Sequence, residues 1–310
     1  MNMIKRIEYL EELKRWKDKD LIKVVTGIRR CGKSTLFELF IEYLKEENIA
    51  DNHIISINLE SLEYNFSGYK ELYDYVMEKV KDDKKYYVFL DEVQNIEKFQ
   101  KAVDGLYIKK NIDIYITGSN AFLLSGELAT LLTGRYVEIK MLPLSFKEYI
   151  SAFPDNNNYQ MLFLEYMKNG GMPGTISVLD LGMNDINKYL DSIFSTVVFK
   201  DIMARNKITD KTLLENIIKF IFDSIGSPIS TKKISDTLTS KGISTSNHTV
   251  DNYIDSFVDC YLIYKAERFD VKVKNLLVRD YKYYSVDTGL RSYLLGKKAD
   301  SDMGHILENI

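Results

Sequence analysis

The segment Gly27-Ile28-Arg29-Arg30-Cys31-Gly32-Lys33-Ser34 constrains this chain more than any other. It is a Gly-x4-Gly-Lys-Ser loop set between the apolar run LIKVV (21–25) and the helical pattern TLFELFIEYLKEE (35–47). Strand, glycine-bearing loop and helix in that order make a phosphate-binding turn when the strand belongs to a parallel sheet and the helix packs back on it. The glycines let backbone N–H groups turn inward, and the helix adds its positive N-terminal end. In this Walker A pattern Lys33 reaches the β and γ phosphates, and the Ser34 hydroxyl ligates Mg²⁺. The binding loop is Gly27, Ile28, Arg29, Arg30, Cys31, Gly32, Lys33, Ser34 and Thr35. At Arg29, Arg30 and Cys31 the backbone matters most, and the side chains face solvent or a partner.

The rest of the first half supplies the sheet. HIISINL (53–59), YYVFLD (86–91), IDIYIT (112–117) and YVEIKML (136–142) read as strands. Helical patterns separate them at 68–80, 96–109 and 121–132. Strands alternating with helices predict an α/β fold, a parallel sheet covered on both faces. In YYVFLDEVQ an apolar run meets Asp91 and Glu92 at the end of a strand that faces the ligand crevice. Asp91 suits Mg²⁺, and Glu92 suits a general base for an attacking water. A glutamate directly after the aspartate points to hydrolysis and to the P-loop branch with one strand between the two acidic and glycine-rich elements. HIISINL is that strand, and the expected order is 5-1-4-3-2. The fourth strand then lies between the first and third, so its polar tip, Ser119 or Asn120, falls near the γ-phosphate. Arg135 in TGRYVEI precedes the last strand. It is either an arginine finger entering a neighbouring subunit's site or a structural arginine paired with a helix C-terminus or an acidic neighbour.

The pattern changes near Pro143. Ser145 and Glu148 form a capping box, and helices with Asn/Gly punctuation run to about residue 226. Beyond Asp210 the order is helix (211–225), helix (230–242, N-capped by Ser230), helix (246–263) and two strand-like pieces, the outline of a winged helix. There Asn247, Thr249, Asn252 and Tyr253 are candidate base readers, with Lys272, Lys274 and Arg279 on the wing for phosphates. Asp251, Asp255 and Asp259 oppose DNA from the same helix. With 42 basic and 45 acidic residues the chain is no basic nucleic-acid coat. Its two cysteines allow neither a disulfide framework nor a cysteine zinc site. No apolar run approaches the ~18 residues of a membrane span, and the N-terminus lacks a signal-peptide core. A cytoplasmic protein that does not use a membrane is expected.

The segments GIRRCGKST, FLDEVQNI, ITGSNAFLLSGELATLLTGRY and LPLSFKEY together resemble AAA+-type P-loop ATPases of the archaeal-ATPase and STAND-related group. GGMPG and KYYSVDTGLR extend the likeness more loosely. The resemblance implies a helical lid in which Gly171-Met172-Pro173 contacts the nucleotide, with Pro173 at the site. It implies an N-terminal helix whose Arg6 and Tyr9 touch the adenine, and no second-sensor arginine stands out, Arg205 fitting that role poorly. It also implies that His305–Asn309 opens a PD-(D/E)XK nuclease-like module whose site would include Glu308. The expected domains are a P-loop NTPase core (1–143), a helical lid (144–208), a winged helix (209–299) and the start of a further module (300–310). The favoured function is Mg²⁺-dependent ATP hydrolysis to ADP that drives a conformational switch or small motor in a homo-oligomer. The alternative is a DNA-binding winged-helix regulator that uses ATP as a ligand. A scaffold with a dead site is opposed by the intact Lys33, Ser34, Asp91 and Glu92.

Overall fold

The computed structural model describes residues 4–119, 132, 134–203, 208–267, 281–296 and 303–310. The chain divides into two compact units. One holds residues 4–27 together with Gly32–Met141; the other holds Ile28–Cys31 together with Leu142–Ile310.

In the N-terminal unit, β1 (Ile22–Thr26), β2 (Ile54–Asn58), β3 (Tyr86–Asp91), β4 (Ile112–Gly118) and β5 (Tyr136–Lys140) form one parallel sheet. Its order is β2-β3-β4-β1-β5, the expected 5-1-4-3-2 read from the other edge. Helices α1 (Ile7–Trp16), α2 (Lys33–Glu46), α3 (Tyr69–Lys79) and α4 (Phe99–Tyr107) cover both faces. Side chains alternate across a strand, so Tyr86, Val88 and Leu90 of β3 and Ile112, Ile114 and Ile116 of β4 pack with Leu72 and Val76 of α3 and Val103 and Leu106 of α4. The intervening Phe89 and Tyr115 stack at 4.7 Å on the other face and meet Phe37 and Phe40 of α2. The helix expected over 121–132 lies outside the described residues apart from its end.

That second face carries a buried ion pair. Lys23 in β1 bonds Asp113 in β4, with side chains 0% and 2% exposed. Asp113 also accepts from the Tyr115 hydroxyl (2.8 Å) and the Asp18 N–H (2.9 Å). Burial lowers the Lys23 pKa, and Asp113 opposes that shift.

In the C-terminal unit the capping box at Ser145 and Glu148 starts α5 (Phe146–Ile150). Then come α6 (Tyr159–Asn169), the short turn α7 (Pro173–Ile176) and α8 (Met183–Thr196), which runs on as a π-helical stretch, Val197–Met203. Next are α9 (Lys211–Asp223), α10 (Thr231–Ser240, with the Ser230 cap in place) and α11 (Asn247–Asp259). β6 (Ile263–Glu267) pairs antiparallel with β7 (Tyr281–Ser285). Ile229 bridges to Tyr281 on the other edge of β7, an addition the sequence pattern did not signal. α12 (Thr288–Leu295) and α13 (Met303–Asn309) close the chain. Among the described residues no helix is long and apolar enough to cross a membrane.

A candidate nucleotide-hydrolysing site

The strand alternation that builds the core also aims the site. Asp91, Thr117 and Ser119 share the parity of Phe89 and Tyr115, so they face the α2 side of the sheet at the C-terminal ends of β3 and β4. The glycine loop leaves β1 at the same end. Gly27 (φ 146°) and Gly32 (φ 104°) adopt backbone conformations that favour glycine, and Gly32 caps the N-terminus of α2. Lys33, the first residue of that helix, is buried, and its Nζ donates to the Gly27 carbonyl at 3.1 Å.

Six side chains meet there. The Ser34 hydroxyl donates to Asp91 Oδ2 at 2.6 Å. The Thr117 hydroxyl donates to Asp91 Oδ1 and accepts the Glu92 N–H at 2.9 Å. Asn58, at the end of β2, donates to Asp91 Oδ2 at 3.3 Å. Lys33 Nζ lies 3.7 Å from Glu92 Oε1. Burial pushes the Asp91 pKa up; the Ser34 and Thr117 hydrogen bonds pull against that, and the Glu92 charge adds to it. Glu92 is buried at φ 54°, left-handed, a costly conformation for a residue with a side chain.

Among the described residues no three His, Cys, Asp or Glu side chains gather as a metal cage. Ser34 and Asp91 instead present a hydroxyl and a carboxylate side by side. Mg²⁺ takes one or two protein oxygens and fills its shell with phosphate and water, so this all-oxygen pair fits it.

The tip of the loop belongs to the C-terminal unit. Arg29 Nε donates to the buried Asp201 at 3.3 Å, in the π-helical stretch. Arg30 donates to the Tyr189 hydroxyl, which also accepts the Gly174 N–H. Arg29 thus departs from the expectation that it faces solvent or a partner, while Arg30 remains exposed and bonds Tyr189 from that position. Cys31 is fully buried. Beside Gly174, Gly171 has no room for a side chain, since a Cβ would stand 2.2 Å from the Leu144 carbonyl oxygen. Pro173 starts the α7 turn and is half-buried.

Asp287 was not singled out from the sequence. Its wholly buried carboxylate accepts N–H groups from Gly171 (2.6 Å) and Leu290 (2.9 Å), and also from Met172 and Gly289. It thus caps α12 and holds the glycine turn with one side chain. Burial pushes its carboxyl up to about 6, against the pull of those four donors. The available signal was the cap pattern Asp-Thr-Gly-Leu before a helix.

Other expected residues are placed as follows. Ser119 is buried with its hydroxyl 3.5 Å from Gln94 Nε2, while Asn120 and Arg205 lie outside the described residues. Thr35 is half-buried in the first turn of α2. Arg6 is buried at the start of α1, 4.8 Å over the Tyr9 ring. Arg135 bonds Asp104 of α4 at 2.6 Å and lies over the Tyr107 ring. Its carbonyl accepts the Ile22 N–H, which puts it at the N-terminal ends of the strands. The length of β1, roughly 16 Å at ~3.3 Å per residue, separates it from its own chain's phosphate loop. Glu308 accepts from Lys282 (2.6 Å) and the Tyr284 hydroxyl (2.9 Å). Tyr253 is buried, which removes it from the candidate base readers, and Lys272, Lys274 and Arg279 lie outside the described residues.

Residues 19–150 match the model of an AAA domain, and residues 160–301 match a domain of unknown function (DUF8612). An uncharacterized protein of Methanocaldococcus jannaschii is 30% identical over 306 residues, 93% of this chain and 65% of that protein. The crystal structure of Cdc6p from Pyrobaculum aerophilum aligns with 98% of this chain and 94% of its own, at 11% identity and a TM-score of 0.40, too loose a likeness to carry an inference. An uncharacterized protein of Haemophilus influenzae is 42% identical over 313 residues, 99% of this chain and 77% of that protein. At that identity and coverage the chain belongs to the family of the Haemophilus influenzae protein, and its phosphate loop and the loop's acidic partners fall in the stretch that matches an AAA domain.

Proposed function

We propose that the chain binds Mg²⁺–ATP at residues 27–35 and hydrolyses it to ADP and phosphate. One observation carries the reading: Lys33, Ser34, Asp91 and Glu92 meet in a single network at the C-terminal end of a parallel sheet. Lys33 and the loop N–H groups bind the phosphates, and Ser34 and Asp91 hold Mg²⁺. The metal supplies charge neutralisation across the phosphate oxygens when bound. Glu92 orients a water and takes its proton as the water oxygen attacks the γ-phosphorus, and the electron pair of the broken bond leaves with ADP. Ser119, with Asn120, orients the same water. Pro173 borders the nucleotide.

In this reading residues 144–208 are a lid, 209–299 a winged helix, and 300–310 the first helix of a nuclease-like module that longer relatives would carry further. Nucleotide state moves the lid and winged helix, and the protein works as a switch in a cytoplasmic homo-oligomer with Arg135 supplied in trans. The test separates binding from chemistry. Lys33→Ala should abolish calorimetric ATP binding without unfolding the chain. Glu92→Gln should still bind ATP while turnover falls about 10²-fold or more. Unchanged affinity in the first variant, or the parent rate in the second, refutes the corresponding assignment.

A second reading, a DNA-binding regulator with ATP as ligand, is favoured by one feature. Helix α11 presents an exposed His248–Asn252 hydrogen-bonded pair (2.9 Å) near its N-terminus. A duplex-binding titration run with and without ATP distinguishes it: saturable binding lost in Asn252→Ala supports this reading, and none refutes it.

A further inference from the structure

The carboxylate of Glu92 is held from two sides. Oε1 lies 3.7 Å from Lys33 Nζ, and Oε2 accepts from Gln94 Nε2. The same Nε2 lies 3.5 Å from the Ser119 hydroxyl oxygen on β4. The other end of the amide, Gln94 Oε1, is buried and has no hydrogen-bond partner among the described residues. A buried amide oxygen without a donor is unfavourable. Turning the amide over would be worse, because it would set that oxygen against the Glu92 carboxylate, acceptor against acceptor. The orientation of Gln94 is therefore dictated by Glu92, and the unmet oxygen is retained as a consequence. The backbone makes the contact local: Glu92, left-handed at φ 54°, starts the tight turn Val93–Asn95, which brings residue 94 back over residue 92.

We propose that Gln94 is a positioning residue for the hydrolysis described above. Its amide N–H groups fix the Glu92 carboxylate beside Lys33, in the orientation that receives a proton from the attacking water. The inference rests on Glu92 as the base. In the step itself a bond forms between the water oxygen and the γ-phosphorus, and the bond to the β–γ bridging oxygen breaks with its electrons on ADP. The water proton passes to Glu92, and Gln94 makes or breaks no covalent bond. Without Gln94 the carboxylate is free to rotate and to swing onto the Lys33 ammonium, away from the water.

The test uses the full chain in single-turnover hydrolysis of ATP with protein in excess, alongside calorimetric ATP binding and thermal melting. Four variants are compared with the parent: Gln94→Leu, the isosteric Gln94→Glu, Glu92→Gln, and the double variant Glu92→Gln/Gln94→Leu. Both Gln94 variants should lose about 10- to 10²-fold in rate with affinity unchanged, and Gln94→Leu should keep the parent melting temperature. Gln94→Glu keeps the volume and Gln94→Leu adds no charge, so a loss common to both identifies the N–H donor rather than packing or repulsion. In the Glu92→Gln background, Gln94→Leu should cost less than about twofold more, because a residue that acts through Glu92 has nothing left to position. Parent rates in the Gln94 variants with Glu92→Gln impaired overturn this inference alone. So does an equal loss in both backgrounds, or a rate loss that only follows lost affinity or stability. Parent rates in Glu92→Gln, or an ATP-binding parent that never cleaves, overturn the hydrolytic reading and this inference with it.

Discussion

Asp287→Ala removes the acceptor of four buried backbone hydrogen bonds in the C-terminal unit. The substitution strands the N–H groups of Gly171, Met172, Gly289 and Leu290 at a wholly buried position. A buried donor left without an acceptor costs about 1–3 kcal/mol. One effect opposes this loss. The carboxyl is held near 6 against an ordinary 3.8, so keeping it ionised at neutral pH already costs the native state about 3 kcal/mol. Removing the charge returns that amount. Four donors outweigh one desolvated charge, and the net loss should be about 2–5 kcal/mol at pH 7.5. The assay is urea denaturation followed by far-UV circular dichroism. In parallel, fluorescence of the single tryptophan, Trp16 in α1, reports the N-terminal unit. The dichroism midpoint should fall. The pH dependence has a definite sign: a raised native pKa means that the native state holds the proton more tightly. The contribution is complete below pH about 4 and is lost as pH rises through about 6. Asp287→Asn, which cannot ionise, should flatten that slope. An Asp287→Ala protein within about 0.5 kcal/mol of the parent, or an Asn variant with an unchanged pH slope, would refute the reasoning.

Two further outcomes follow from the N-terminal unit. Lys23→Met leaves the Asp113 carboxylate buried without its cation and should destabilise by about 3 kcal/mol, read from the Trp16 transition; a loss under about 1 kcal/mol would mean that Tyr115 and Asp18 suffice. Arg135→Ala removes a half-exposed pair with Asp104 and should cost less than about 1 kcal/mol of stability. If Arg135 serves a neighbouring subunit, the variant still binds ATP, loses turnover, and regains part of it when mixed with Glu92→Gln protein; no recovery on mixing assigns it to Asp104 alone.

The sheet and its order were legible because the glycine loop, the acidic strand end and the five apolar runs each carry a local pattern. Period-two alternation alone puts Asp91 and Thr117 on one face. What stayed hidden depends on partners far away in sequence. LIKVV reads as an apolar run with one polar letter, and nothing nearby shows that Lys23 meets Asp113, 90 residues on. Asp287 bonds a glycine turn 116 residues upstream, so its cap pattern shows only half of what it does. Gln94 was visible in FLDEVQNI, but its contact with Glu92 depends on a left-handed backbone that no residue type there demands. The π-helical turn at Val197–Met203 likewise follows from packing, with Asp201 buried against Arg29.

The grouping of Ile28–Cys31 with the later half of the chain bears on how the protein can be cut. A boundary drawn by motif, just after β5, would retain every letter of the phosphate loop. It would also leave Arg29 without Asp201 and Arg30 without Tyr189. A fragment ending at Met141 is therefore expected to carry the complete nucleotide signature and bind nucleotide poorly. Excision of the domain by its sequence limits would remove the mould in which its own loop is cast.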